Sequence, residues 1–234
     1  FSVYSPPFCG LYNYSSSHRD FSNCASKEQF LHQYEFLVMQ QYRLTKPGRI
    51  NAVHVMEIVE NNGSSWDFPH EVIRLHIKHG FEYKGRITVW KEPLKVRMRT
   101  MVNSLKHQLI IEDTTQCFPA SPDYVLLFKK KGEVEVPVTH PKGLTEYFGE
   151  TPFLKEHEDK YGNYEDFKKK WLNYDGDPRG NKLSHIHWQR YASSVWDDVR
   201  LNNVLPFKKS KDEDDEKHVH PLQLDVIDRL VVMY

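Results

Sequence analysis

Phe1, Val3 and Tyr4 open the chain on an apolar run that stops at Ser5-Pro6-Pro7-Phe8. Each proline fixes its own φ and restricts the residue before it, so the run reads as a short strand ending in a stiff loop. A polar stretch, 13–24, follows. Ser26 with Gln29 three residues on is a capping-box signature, and Phe30, Tyr34, Leu37, Val38 and Tyr42 then recur at helical spacing. Lys46-Pro47-Gly48 stops that helix. Ile50 to Met56 predicts a strand, and Phe68 to His79 a second helix with Val72, Ile73, His76 and Ile77 on one side and Gly80 as its stop. Residues 81–90 and 124–128 predict two more strands. Strand, helix, strand, helix, strand is the rhythm of an α/β fold, so 1–130 is expected to form a mostly parallel sheet flanked by helices. Ser5 would then stand at the carboxyl end of the first strand, where such sheets place their ligands.

The rhythm fails after Lys129. Residues 140–185 are rich in Lys, Glu, Asp, Gly and Tyr with weak periodicity, and Trp188, Arg190, Tyr191 and Trp196 follow. The stretch 208–217 is a mixed charge run with almost nothing apolar, the pattern of a solvated linker. His220-Pro221 is expected to open a last helix, with Leu222, Val226, Ile227, Leu230 and Val231 on its inner side. The chain begins in a strand without Met and ends in a helix without a cap, which suggests a segment of something longer.

Composition narrows the picture only a little. No run approaches the roughly 18 apolar residues of a membrane span. Lys and Arg number 32 against 32 Asp and Glu, so nucleic-acid binding would have to come from local patches. Cys9, Cys24 and Cys117 form no close pair, which fits a reduced intracellular compartment. The pairs His185/His187 and His218/His220 have zinc-like spacing but no convincing third ligand, so no metal is expected. His54 and His76 lie within strand and helix patterns and read as structural.

Three segments carry candidate chemistry, each beside a plainer reading. Ser5-Pro6-Pro7-Phe8 is either a stiff turn or a clamp for a flat, amine-bearing ring. In the second reading the Ser5 hydroxyl and the Pro6 carbonyl accept the two amine hydrogens, and Phe8 stacks on the base. Lys95, Arg97, Arg99, Lys106 and His107 form either a solvated amphipathic helix or a loop that closes on phosphates. In 140–205 the tyrosines and tryptophans either build a satellite core or read or wedge DNA, with Lys168, Lys169, Lys170, Arg179, Lys182 and Arg190 on phosphates.

Ser5 to Phe8, followed by Cys9-Gly10-Leu11-Tyr12-Asn13-Tyr14-Ser15 and by Thr45-Lys46-Pro47-Gly48-Arg49, resembles the amino-methyltransferase family of DNA methylases. The resemblance is greatest to the versions carried by bacteriophages and prophages. Gly85-Arg86-Ile87-Thr88-Val89-Trp90-Lys91-Glu92-Pro93, Ile186-His187-Trp188-Gln189-Arg190-Tyr191-Ala192-Ser193 and His218-Val219-His220-Pro221-Leu222-Gln223-Leu224 match that subgroup in order.

The resemblance implies a circularly permuted, Rossmann-like fold that transfers methyl from S-adenosylmethionine to the exocyclic amine of a flipped base in double-stranded DNA. Its setting would be the cytoplasm of a bacterial host, as in phage DNA modification against restriction. It implies a catalytic part in 1–130, an inserted target-recognition region in 131–207, a linker in 208–217 and the start of a cofactor part in 218–234. Ser5, Pro6, Pro7 and Phe8 would be catalytic. His220, Pro221, Leu222 and Gln223 would hold the methionine end of the cofactor. Serine at the head of the motif favours cytosine N4, with adenine N6 open. The family's Gly-x-Gly cofactor loop does not occur in this sequence. A missing C-terminal half or a second copy is therefore expected to cover an exposed sheet edge. A non-catalytic DNA-binding or assembly module, and an RNA or small-molecule amino-methyltransferase, are the alternatives.

Overall fold

The computed structural model describes residues 1–9, 17–60, 64–206 and 221–234, with the side chains of 99 and 100 excepted. A five-stranded sheet has the order β1-β2-β6-β5-β7. These strands are Ser2–Tyr4, Ile50–Met56, Asp123–Lys130, Phe81–Val89 and Val195–Trp196 respectively. Between β2 and the next helix, β3 (Ile58–Val59) and β4 (Ser65–Trp66) make a small antiparallel pair.

The sheet is mixed, which corrects the mostly parallel expectation. β1 pairs parallel to β2 and β5 parallel to β7, but β6 runs antiparallel to both β2 and β5. The antiparallel ladders are also the long ones, since β1 and β7 have only three and two residues. Alternation and apolar content do not encode strand direction, and no crossover helix returns the chain before β6. Helices α3 (Pro93–Thr100) and α4 (His107–Glu112) fill that connection, but it starts and ends at one edge: Val89 is in register with Asp123.

Helices cover both faces. On one face α1 (Lys27–Leu44) and α2 (Phe68–Lys78) bury Phe30, Tyr34, Val38, Phe68, Val72 and Leu75 against Val53, Val55, Leu126 and Phe128. The cap read from sequence at Ser26 is present. Ser26 Oγ accepts from Gln29 N at 3.2 Å and Gln29 Oε1 accepts from Ala25 N at 2.8 Å. Asp67 caps α2, with Pro69 in its first turn. On the other face α8 (Leu224–Met233) lays Val226 and Leu230 over Ala52, Ile87, Val89, Val125 and Leu127. β5 serves both cores because a bulge interrupts it between Tyr83 and Gly85. Phe81 therefore faces α2 while Ile87 and Val89, of the same parity, face α8.

The last helix does pack on this sheet, but it begins at Leu224 rather than at Pro221. Leu222 and Gln223 pair instead with 203–205: Leu205 N donates to the Leu222 carbonyl at 3.1 Å and Leu224 N to the Asn203 carbonyl at 2.8 Å. His220 and the charge run 208–217 lie outside the described residues. A separate helical unit forms from α5 (Lys155–Tyr161), α6 (Tyr164–Leu172) and α7 (Lys182–Tyr191) around Phe153, Phe167, Leu183 and Ile186. At the opposite edge the outer side of β1 pairs with no other described strand.

His76 lies at the centre of the first core, stacked on Phe128 with ring centroids 4.0 Å apart. Its Nδ1 donates to the Val72 carbonyl at 2.7 Å and its Nε2 accepts from Asn51 at 3.3 Å, which fixes a neutral tautomer. Burial depresses its pKa to about 4. The unfolded chain takes up this proton near pH 6.5 and the folded chain does not. The stabilising difference is therefore full above that pH and is lost as pH falls from about 6.5 towards 4. A titration of unfolding free energy should show a loss of about 3 kcal/mol over that window from this group, and His76→Gln should flatten the curve there. An unchanged slope in the variant would place the pH dependence elsewhere.

Candidate functional site

The carboxyl ends of β1, β2, β5 and β7 meet the amino end of β6 along one edge of the sheet. Tyr4 is in register with Val53, Met56 with Asp123, and Val89 with both Asp123 and Trp196. Ser5 follows β1 on that edge, level with His54, and is exposed. Its position is held from below: the Tyr4 hydroxyl meets that of Tyr34 on α1 at 2.6 Å in the core. Pro6 and Phe8 are buried. Phe8, 6% exposed, belongs to the core between the sheet and α1 and α2. The ring expected to stack on a base is thus a core ring. An aromatic after two prolines reads the same way in sequence whether it turns in or out.

Sequence reasoning missed the charged group on this edge. Asp123, at the start of β6, is 2% exposed. Lys91, two residues beyond β5, donates to its Oδ1 at 2.6 Å. His54 Nε2 lies 3.1 Å from its Oδ2, without hydrogen-bond geometry. Burial alone would raise the Asp123 pKa, but Lys91 and His54 overcome it and hold the carboxyl well below its usual range. The clue was available: an aspartate directly before the buried run Tyr124–Phe128, and a lysine directly after the run ending in Trp90.

Between Lys91 and Asp123 the chain makes its excursion through α3 and α4. The expected basic segment is therefore two short helices joined by turns. Arg97 donates to Met101 Sδ at 3.4 Å, and Lys106 is exposed beside α4. Arg99 lies on α3, and its side chain is outside the described residues. The same excursion exposes Leu94, Met98, Met101, Ile110, Ile111 and Phe118.

In the 140–205 region Tyr161, Tyr164 and Trp171 pack on Phe153, Phe167, Leu183 and Ile186 in a satellite core. Trp196 belongs to the second core instead. Tyr174 and Trp188 are exposed, Trp188 at 59%. Lys168 lies over the Tyr164 ring, Lys169 is 3.8 Å from Asp166, and Lys170 is exposed, so this run faces solvent. Arg190 is corrected: it is not a free phosphate ligand. Its Nη2 lies 2.6 Å from Asp197 and 3.2 Å from Asp198, and its Nε donates to the Tyr147 hydroxyl at 3.2 Å. That network continues inward to Arg229 on α8, which is fully buried. Arg229 donates to Asp198 at 2.8 Å and to the Phe148 carbonyl at 2.6 Å, and its guanidinium faces the rings of Tyr147, Tyr191 and Trp196.

The expected cofactor segment is also altered. Pro221, Leu222 and Gln223 are buried, and Leu222 belongs to the second core. The first turn of α8 already holds a carboxylate, Asp225, bonded by Arg200 and Asn203. The helix start is therefore not an open anion site. Among the described residues, Gln223 Oε1 is a buried oxygen without a hydrogen-bond partner. That is an acceptor for a donor group such as an ammonium or a hydroxyl. Among the described residues, no group of three or more His, Cys, Asp and Glu side chains is placed to hold a metal, and no helix is long and apolar enough to cross a membrane.

No protein-family model matches the chain, and no curated protein matches it in sequence. Solved structures do match its fold. All of this chain superposes on TTHA0409 of Thermus thermophilus, described as a candidate DNA modification methylase, with a TM-score of 0.52 and 14% identity in a selenomethionine crystal. A second crystal of that protein, complexed with S-adenosyl-L-methionine, gives 0.51 and 15%. The chain spans 65% of the length of that protein. The mixed sheet flanked by helices is thus a fold that a methylase-type protein also has.

Two substitutions separate structural from chemical roles. Phe8→Ala should lower the unfolding free energy by about 3 kcal/mol, as for a buried ring, in a denaturant titration without any ligand. A Cβ at Gly149 would overlap both Arg229 Nη2 and Asp198 Oδ2. Gly149→Ala should break the buried pair and cost about 3 kcal/mol or more. A fully stable Gly149→Ala protein would show that the Arg229 network tolerates displacement.

Proposed function

We propose that the chain is the substrate-facing part of a DNA methyltransferase that uses S-adenosylmethionine to methylate the exocyclic amine of a flipped base, cytosine N4 ahead of adenine N6. One observation carries the reading: the exposed Ser5, with Pro6 and Pro7 behind it, follows β1 on the edge where four strands end. The fold likeness to TTHA0409 supports it.

The chemistry asked of this edge is orientation. An exocyclic amine has two hydrogens and a lone pair delocalised into its ring. The Ser5 hydroxyl and the Pro6 carbonyl accept the hydrogens and leave the lone pair facing away from the loop. The two prolines stiffen the loop, so little entropy is lost when the base is seated. Asp123 and Lys91 neutralise each other under the edge, so they present no free charge to repel a neutral base. S-adenosylmethionine, when bound, would supply a methyl group from a sulfonium centre that leaves as a neutral thioether, while the methylated amine gives up one proton to solvent, so no strong base is needed. Gln223 Oε1 is the described acceptor that would hold a donor group of that cofactor. Lys168, Lys169, Lys170, Lys106, Arg97 and Arg99 are the cations proposed to lie on DNA phosphates.

Mass spectrometry of nucleosides from DNA incubated with the protein and S-adenosylmethionine tests the reading. Amine-methylated cytosine is the expected product, and amine-methylated adenine would change only the base. Ser5→Ala should slow transfer by about 100-fold while leaving the DNA dissociation constant within about twofold. No amine methylation by the natural full-length protein would sink the proposal.

A further inference from the structure

Two clefts flank α7 in the helical unit and share His185. The first, of about 470 Å³, is lined by Glu156, His157, Lys160, Tyr161 and Lys182 besides His185. The second, of about 430 Å³, is lined by Leu144, Pro178, Arg179 and Trp188. They differ in chemistry. The first is polar and carries two ammonium groups against one carboxylate. The second is largely apolar and has an exposed indole on its wall.

The two lysines are placed by rings, not by acids. Lys160 Nζ lies 5.1 Å from the Tyr161 centroid and Lys182 Nζ 5.9 Å from the same ring, with Trp171 5.3 Å from Lys182. No described carboxylate lies within ion-pair distance of either. Elsewhere Lys27, Lys78, Lys84 and Lys91 each have an acidic partner. Cation–π contact orients an ammonium without cancelling its charge. The first cleft therefore holds two oriented, un-neutralised cations, which is what a phosphodiester requires. Trp188 beside it offers the flat apolar face that a sugar or an unstacked base requires. The unit is also tied to the right place: Arg190, near the end of α7, bonds Asp197, the residue that follows β7 on the carboxyl edge.

We propose that the clefts on either side of α7 form a seat for one strand of duplex DNA, with Lys160 and Lys182 on phosphates and Trp188 against the adjoining nucleotide. The proposal rests on the DNA reading above; Lys182 is already among the basic residues read from the sequence, and the clefts add Lys160 and the wall at Trp188.

Fluorescence anisotropy with a short labelled duplex, without cofactor, tests it across about 50 to 200 mM salt. Lys160→Ala/Lys182→Ala should weaken binding roughly tenfold at the middle of that range and reduce the slope of log K against log salt by about 2. Trp188→Ala should weaken binding by about fivefold or more with the slope unchanged, since it carries no charge. Lys78→Ala/Lys84→Ala, which removes the same charge from the α2 and β5 surface, should leave both quantities unchanged. All five positions are on the surface, and circular dichroism confirms folding. An unchanged slope in the first variant, an equal loss in the comparison variant, or no binding by the unaltered protein would each overturn the seat. Binding that follows this pattern while no methyl transfer occurs would keep the seat and sink the catalytic reading. Methyl transfer with the α7 variants binding normally would do the reverse.

Discussion

A single buried guanidinium joins the parts of this molecule. Arg229 stands on α8, the helix that covers one face of the sheet, and reaches Asp198 just beyond the edge strand β7. It also reaches the carbonyl of Phe148 in the strap that leads to the helical unit, and the rings of Tyr147 and Tyr191 that seat α7. Removing a guanidinium and a carboxylate from water costs several kcal/mol each, so the pair stabilises only while its geometry is kept. Two good hydrogen bonds and three ring faces supply that geometry, yet Nη1 finds no hydrogen-bond partner among the described residues. Such a site contributes less to net stability than an apolar core of the same volume would. What it fixes is arrangement: sheet, strap and helical unit meet at one point or the pair is left uncompensated.

That arrangement explains why the carboxyl edge is available for chemistry. Helices cover the two faces, and the short strands β1 and β7 close the ends of the row. The strand tips are left open, with Ser5 above β1 and the Lys91–Asp123 pair sealing the point where the chain leaves β5 and re-enters at β6. Lys91 and Asp123 are neighbours only because β6 is antiparallel. A parallel strand would have placed the start of β6 at the far edge and left the aspartate without its cation.

Much of the first half was legible because each element there signals itself locally. α1 carries its cap at Ser26 and its apolar spacing through Tyr42, and α2 carries Asp67, Pro69 and the stop at Gly80. β2 carries Ile50, Val53 and Val55, and β5 carries Phe81, Tyr83, Ile87, Thr88 and Val89. What the sequence hid was non-local. The direction of β6 leaves no mark in its own residues. The bulge at Gly85 reverses the face of β5, so simple alternation misassigns Ile87 and Val89. Arg190 is one of many exposed-looking basic residues until Asp197 and Asp198 fold back on it. Pro221 looks like a helix start because proline favours the first turn, but pairing with 203–205 holds Leu222 and Gln223 extended and delays the helix to Leu224. Ser5 was placed correctly on its strand tip, whereas Phe8 was not, since the motif fixes the backbone but not which way the ring turns.

The helical unit has a small core of its own, four buried apolar residues with a few half-buried rings around them. Such a core tolerates little charge inside, so the basic residues of α5, α6 and α7 are driven outward, and the rings beneath them orient several by cation–π contact. Lys160, Lys168 and Lys182 all rest on tyrosine in this way. These ammonium groups are oriented by the rings without losing their charge. Because Arg190 and Arg229 lock the unit to the edge of the sheet, those charges keep a fixed relation to Ser5. A polyanion seated on the helices would therefore meet the strand tips in a constant register, as the proposed role of the Ser5 loop requires.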